Sequence, residues 1–237
     1  MAAGDEEKAL VERLHAVRDR IAHAARMAGR DPRDPRLVAV SKLHPARAVA
    51  ALAAAGQRDF GESYVREACA KQAELSHLAL HWHCIGHVQT NKAKDAAGRF
   101  QCIHSLDSLK LAQALRRHIP APERQQVLIQ VNVGAEEQKS GIRPEDLPAL
   151  AEEVARMPEF ALVGLMCLPP FFDNGALARP YFALLRELCE RLRTRLGLAL
   201  PELSMGMSGD FAEAVAEGAT LVRIGTDIFG ARPARIP

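Results

Sequence analysis

The sequence predicts an α/β protein: a closed (β/α)8 TIM barrel with an extra N-terminal helix. Three observations predict it. Apolar runs of about five residues, the pattern of parallel strands buried on both faces, alternate with longer segments of helical period. Eight such runs occur, the number that closes this kind of barrel. The 237 residues lie close to the roughly 250 usual for the fold and are enough for one large core. An open doubly wound sheet is the competing architecture, but it commonly uses fewer strands and often a glycine-rich dinucleotide turn. Neither GxGxxG nor GxxxxGK occurs here.

The lead helix is expected over about residues 5–28, where Leu10, Leu14, Val17 and Ile21, with Ala24 and Ala25, recur at helical spacing until Gly29 and the DPRDP turn. Strands are expected at RLVAVS (36–41), RDFG (58–61), HWHCIG (81–86), QCIHS (101–105), VLIQVNV (127–133), ALVGLM (161–166), ELSMGM (202–207) and TLVRIG (220–225). Helical segments fall between them at 45–56, 63–77, 89–98, 107–118, 144–157, 177–196 and 209–218. No Ser/Gly linker, repeat or low-complexity tract divides the chain, so one domain is expected over 1–237, with the barrel at about 36–232.

Composition narrows the function classes. Thirty-one Lys and Arg face 29 Asp and Glu, with no long single-sign block of the kind that binds nucleic acid or an anionic membrane. The N-terminus has no basic region followed by an apolar one, and no apolar run is long enough to span a bilayer; a soluble, cytoplasmic protein is expected. Cys69, Cys84, Cys102, Cys167 and Cys189 show no CxxC spacing, which suggests packed, reduced thiols.

Chemistry in a barrel gathers at the C-terminal ends of the strands, and phosphate often binds the loops after strands seven and eight. Here those loops read SMGMSGDF and RIGTDIFG. Gly206, Gly209 and Gly225 permit close approach of a ligand, and Ser208 and Thr226 add hydroxyls, all of which suits a phosphate. Lys42 ends the first strand and alternates with Val38 and Val40, so it points inward beside these loops. An amine next to a phosphate cradle suggests an aldehyde-bearing phosphate held as a Schiff base, and pyridoxal 5′-phosphate (PLP) is the commonest such cofactor. Arg223 alternates with Leu221. It either faces the same cavity, where a group that only donates would keep a pyridine nitrogen unprotonated, or pairs with an acidic neighbour at the rim. His81 and His83, with His87 nearby, form a zinc-like HxH pattern. The pair sits at the start of its strand, however, without a clear carboxylate partner, and no metal is expected. Glu136, Glu137 and Lys139 occupy a polar loop after strand five that is either solvated or a lid.

At these residues the chain resembles the pyridoxal-phosphate homeostasis protein family, the YggS or PROSC type. The matching motifs run in order from Leu37 to Arg232: VAVSK (38–42), FGESYVRE (60–67), WHCIGHVQTNK (82–92), IHSLDS (103–108), QVNVGAEEQKSGI (130–142), GLM (164–166), LSMGMSGDF (203–211) and VRIGTDIFGAR (222–232). The resemblance implies a barrel related to the alanine racemase N-terminal domain and a covalent aldimine on Lys42. It also implies that Ser208, Gly225 and Thr226 hold the phosphate, that Arg223 meets the pyridine nitrogen, and that Met205, His87 and Ser63 lie around the ring. Three positions depart from the family pattern: Ser63 replaces the usual asparagine, Gly209 an acidic or small residue, and Asp227 a small residue. A carboxylate near a phosphate would repel it, and Asp227 is expected to point outward because neighbouring Thr226 should face the ligand.

The resemblance further implies a carrier that stores PLP and supplies it to apo-enzymes, without established turnover, and a monomer is expected. The first alternative is a PLP-dependent racemase, which needs a second acid/base opposite the lysine; only Tyr64 and Tyr181 are available for that role. A cofactor-free Schiff-base aldolase is the other.

Overall fold

The structure, a computed structural model, describes residues 3–136 and 138–231. The expected loop residue Glu137 and the expected barrel end at Arg232 lie outside the described residues. The chain runs through α1 (Ala3–Met27), β1 (Arg36–Val40), α2 (Ala46–Ala54), β2 (Asp59–Glu62), α3 (Val65–Glu74), β3 (His81–Cys84), α4 (Ala93–Ala96), β4 (Cys102–Leu106) and α5 (Leu109–Arg116). It continues through β5 (Gln125–Val131), α6 (Leu147–Ala155), β6 (Phe160–Cys167), α7 (Arg179–Leu196), β7 (Glu202–Ser204), α8 (Phe211–Ala216), β8 (Leu221–Ile224) and α9 (Thr226–Phe229). Every strand is parallel to its neighbour in chain order, and β8 closes on β1 in the register Arg36 with Leu221 to Ala39 with Ile224. The expected barrel is therefore present, with its lead helix.

Alternation along the strands creates two apolar regions. Val38, Cys102, Leu128, Met166 and Leu221 fill the interior of the barrel, while Leu37, Ala39, Phe60, Ile103, Ile129, Phe160 and Leu203 pack outward against the helices. Helix α1 lays its apolar stripe over α2, α8 and α9. Leu10, Leu14, Val17 and Ile21 are all buried in that contact, worth about 2 kcal/mol each before the cost of ordering the chain.

Two departures from the expected elements have local causes. Strand β7 stops at Ser204 instead of 207, because the chain turns at Gly206 with φ of 91°. A Cβ on Gly206 would also lie 2.7 Å from the Cβ of Ala214. The short α9 was not expected, since four residues are too few to show a helical period. Cys84, Cys102, Cys167 and Cys189 are buried and Cys69 is half-buried, all as free thiols. Burial pushes Cys84 and Cys167 up to about 12, which leaves them unreactive. Among the described residues, no helix is long and apolar enough to cross a membrane.

Candidate cofactor site

A cavity of about 450 Å³ opens at the C-terminal ends of the strands. Val40 and Lys42 at the end of β1, Ser63 after β2, Ile85 after β3 and Arg223 of β8 face into it. The loop after β7 adds Ser208, Gly209 and Asp210, and the turn into α9 adds Gly225 and Thr226. The loop after β6, residues 168–172, forms the remaining wall together with Lys139. A larger groove of about 910 Å³ between α1 and α8 shares Ser208, Gly209 and Asp210 but contains neither Lys42 nor Arg223. The chemistry therefore belongs to the smaller cavity.

Six of the eight expected site residues meet in this cavity: Lys42, Ser63, Ser208, Arg223, Gly225 and Thr226. The other two do not line it. Met205 is fully buried in the outer core, because alternation along β7 turns Ser204 inward and the next side chain outward; Met207 lines the cavity instead. His87 is turned aside at Gly86, which lies so close to Ser63 that a Cβ there would sit 2.3 Å from its carbonyl oxygen. The imidazole instead meets Asp107, with Nδ1 3.4 Å from Oδ2, and the Ser140 hydroxyl at 3.3 Å, in a separate cleft.

Lys42 is half-buried in the turn that follows β1. The next residue, Leu43, has φ of 66°, a left-handed conformation that costs a side-chain-bearing residue roughly 1–2 kcal/mol. Lys139, the second amine in the lining, is committed elsewhere. It pairs with Glu136 at 2.5 Å and donates to the Pro169 carbonyl at 3.1 Å, tying the loop after β5 to the loop after β6.

Arg223 is 3% exposed and, among the described residues, forms no ion pair with a carboxylate. Burial pulls its guanidinium below the ordinary value, yet a group of this type stays charged. Nη1 donates to Ser204 Oγ at 2.6 Å and Nη2 to the Cys167 carbonyl at 2.9 Å. Behind Ser204 a polar chain runs down the barrel interior. Ser204 Oγ lies 2.8 Å from His104 Nδ1, His104 Nε2 lies 2.9 Å from His83 Nδ1, and His83 Nε2 lies 3.0 Å from Asp59 Oδ1. The guanidinium end can only donate and the carboxylate end can only accept. The Ser204 hydroxyl, the two imidazoles and the Asp59 carboxylate form one continuous chain between the donor end and the acceptor end. Complete burial holds His104 well below its ordinary pKa and so neutral. Thus one histidine of the HxH pattern belongs to the barrel interior. Among the described residues, no group of three His, Cys, Asp or Glu could hold a metal.

The two glycine loops form the opposite end of the cavity. Asp210 folds back to accept from the Met207 N–H at 2.6 Å, and burial pushes its carboxyl up from the usual range. The N–H groups of Ser208, Gly209 and Thr226 have no acceptor among the described residues. Gly225 packs on β1, where a Cβ would lie 3.2 Å from the Val40 carbonyl oxygen. Asp227 points outward, as expected, and pairs with Arg20 of α1 at 2.6 Å. The Arg20 guanidinium also sits over the Phe211 ring, 4.9 Å from its centroid, so one side chain of α1 touches both loops. Amine, buried donor and anion-seeking loops are thus gathered around one space, while sequence reasoning left Lys139 in a loop that was either solvated or a lid and missed Asp210 and the pairing of His83 with His104.

Comparison with known proteins places the chain among relatives of the same fold. Residues 13–233 match the model of the alanine racemase N-terminal domain family. A pyridoxal phosphate homeostasis protein of Pseudomonas aeruginosa is 51% identical over 224 residues, 94% of this chain and 96% of the relative. The structure of PipY from Synechococcus elongatus PCC7942 with PLP bound superposes with a TM-score of 0.82 at 40% identity, covering 93% of this chain and all of PipY. Alanine racemase of Corynebacterium glutamicum shares the fold alone, with a TM-score of 0.72 at 18% identity, covering 98% of this chain and 63% of the racemase. Its sequence, its closed barrel and these relatives agree that the chain belongs to the pyridoxal phosphate homeostasis protein family.

Proposed function

We propose that this protein takes up PLP in the cavity above the barrel, holds it as a Schiff base on Lys42 and supplies it to apo-enzymes. One observation carries the reading: Lys42, Arg223 and the two glycine loops line the same enclosed space. The donor set fits the cofactor. When bound, PLP supplies an aldehyde carbon that a neutral amine attacks with loss of water, and water reopens the bond. The loop N–H groups, with the hydroxyls of Ser208 and Thr226, suit its phosphate. Ser63 adds a hydroxyl to the wall, and Gly225 keeps the backbone open at the phosphate end. Arg223, a permanent donor braced by Ser204 and Cys167, suits an unprotonated ring nitrogen. A ring held this way is a poor electron sink, which suits storage better than turnover.

One further fact supports a carrier. Neither Tyr64 nor Tyr181 lines the cavity, so neither stands opposite Lys42 as a racemase would require.

Delivery is tested by mixing PLP-loaded protein with an apo PLP enzyme in the presence of a scavenger that removes free PLP. The expected result is activation of the enzyme despite the scavenger. A colourless preparation that cannot be charged with PLP, or activation that the scavenger abolishes, overturns the reading.

The Arg20–Asp227 pair gives a second expectation. Exposed ion pairs contribute little stability, about 1 kcal/mol or less, so Arg20→Ala should fold normally. The released Asp227 carboxylate then leaves a negative charge unneutralised near the phosphate end, and PLP affinity measured by fluorescence titration should fall roughly three- to tenfold. Adding Asp227→Ala should restore it. Equal affinity in Arg20→Ala and wild type would show that the pair does not bear on the phosphate.

A further inference from the structure

Three charged side chains outside the cavity lining hold the residues on both sides of Lys42, two of them by its neighbours' backbone. On one side the Ser41 carbonyl accepts from Lys71 Nζ at 2.7 Å, and the Ser41 hydroxyl donates to Glu62 Oε1 at 2.7 Å. On the other the Leu43 N–H donates to Glu67 Oε1 at 2.6 Å. Lys71 ties the two sides together by donating to Glu62 Oε1 and to Glu67 Oε1, each at 2.7 Å. Glu62 ends β2, and Glu67 and Lys71 lie one turn apart on α3.

This arrangement costs more than an apolar contact of the same size would. Glu62 is 0% and Lys71 5% exposed, and among the described residues Glu62 Oε2 has no hydrogen-bond partner. Burial pushes the Glu62 carboxyl up from the ordinary range, against the charge of Lys71 and the bonds from Lys71 and Ser41. A buried ion pair is weak evidence for stability, since hydrophobic residues of similar volume often hold two elements together as well or better. What apolar packing cannot do is fix two particular backbone groups. Here those groups are the carbonyl before Lys42 and the amide after it. The amide belongs to Leu43, whose left-handed conformation the bond to Glu67 helps to hold.

We propose that Glu67 and Lys71, supported by Glu62, are positioning residues for Lys42, holding the turn so that its amine is presented to an aldehyde in the cavity. The proposal rests on reading Lys42 as the capturing amine. In that capture the neutral amine nitrogen bonds to the aldehyde carbon, the carbonyl oxygen leaves with both amine hydrogens as water, and no oxidant or reductant takes part. The clamp governs this bond and leaves the hold on the phosphate unchanged, because none of its members lines the cavity.

The test compares PLP with pyridoxine 5′-phosphate, which carries an alcohol in place of the aldehyde and cannot bond to an amine. Each ligand is titrated against wild type, Glu67→Ala and Glu67→Gln, and borohydride trapping at Lys42 is timed by mass spectrometry. Glu67→Ala is expected to bind PLP at least tenfold more weakly and to be trapped at least tenfold more slowly, with pyridoxine 5′-phosphate affinity within twofold of wild type. Glu67→Gln keeps an acceptor oxygen for Leu43 and should recover most of the loss. Unchanged PLP binding and trapping in Glu67→Ala overturns the proposal, as does an equal loss of both ligands in the two variants. Wild type that is never trapped at Lys42 overturns the reading of that lysine and the clamp with it. Should Glu67→Ala not fold, amide exchange in wild type decides: the Leu43 N–H must be protected, and exchange at the rate of an open turn overturns the clamp.

Discussion

Lys42→Ala should leave a cavity that still admits a phosphate ester but no longer fixes an aldehyde. PLP added to this variant is expected to show no borohydride-stable adduct, and its affinity should fall by roughly a hundredfold or more, about 2.7 kcal/mol. Pyridoxine 5′-phosphate should lose no more than the contribution of one cationic neighbour, roughly tenfold at most. The contrast arises because the anion-seeking N–H groups of Ser208, Gly209 and Thr226 belong to loops that do not depend on Lys42. Lys139 is the internal control, a second amine in the same lining that is held by Glu136 and the Pro169 carbonyl. If borohydride labels the variant at Lys139 as heavily as it labels wild type at Lys42, the capturing amine has been misassigned.

Acid should destabilise the protein through His104. Its folded-state pKa lies well below its ordinary value near 6.5, so between the two values the unfolded chain binds a proton that the folded chain refuses. The stabilisation is complete above pH 6.5 and is lost as pH falls toward the depressed folded value, at a slope approaching about 1.4 kcal/mol per pH unit. Glu62 acts in the opposite sense. Its raised folded pKa gives stability that is complete below its ordinary value near 4.5 and is lost as pH rises through the folded one. Urea unfolding of wild type and His104→Gln at several pH values between 5 and 7.5 separates the two. The slope below pH 6.5 should be present in wild type and largely absent from the variant. Parallel profiles would mean that His104 takes its proton inside the barrel, and the polar chain from Arg223 to Asp59 would then need a different arrangement of hydrogens.

Much of this was legible in the sequence, for reasons that particular residues make plain. Val38, Val40 and Lys42 alternate, as do Leu221 and Arg223, and a two-residue period is enough to put the amine and the guanidinium on one side of a closed sheet. Both loops of the anion cradle were visible from their glycines and hydroxyls. Met205, whose position was carried over from resemblance, does not line the cavity, because the same alternation that placed Arg223 sends Ser204 inward and its neighbour out. The union of His83 with His104 could not be read, since it depends on the stagger between β3 and β4, which a one-dimensional pattern does not record. Lys71 did leave a signal. It falls with Val65 and Ala68 on the buried stripe of α3, and a lysine on such a stripe announces a partner.

Arg20 shows that a helix outside the ring of strands has been drawn into the chemistry of the rim. Its one guanidinium answers the carboxylate at position 227 and covers the ring of Phe211, so an acidic residue that would otherwise spoil an anion cradle becomes tolerable. The permission is local, and it lasts only while a cation stands beside position 227.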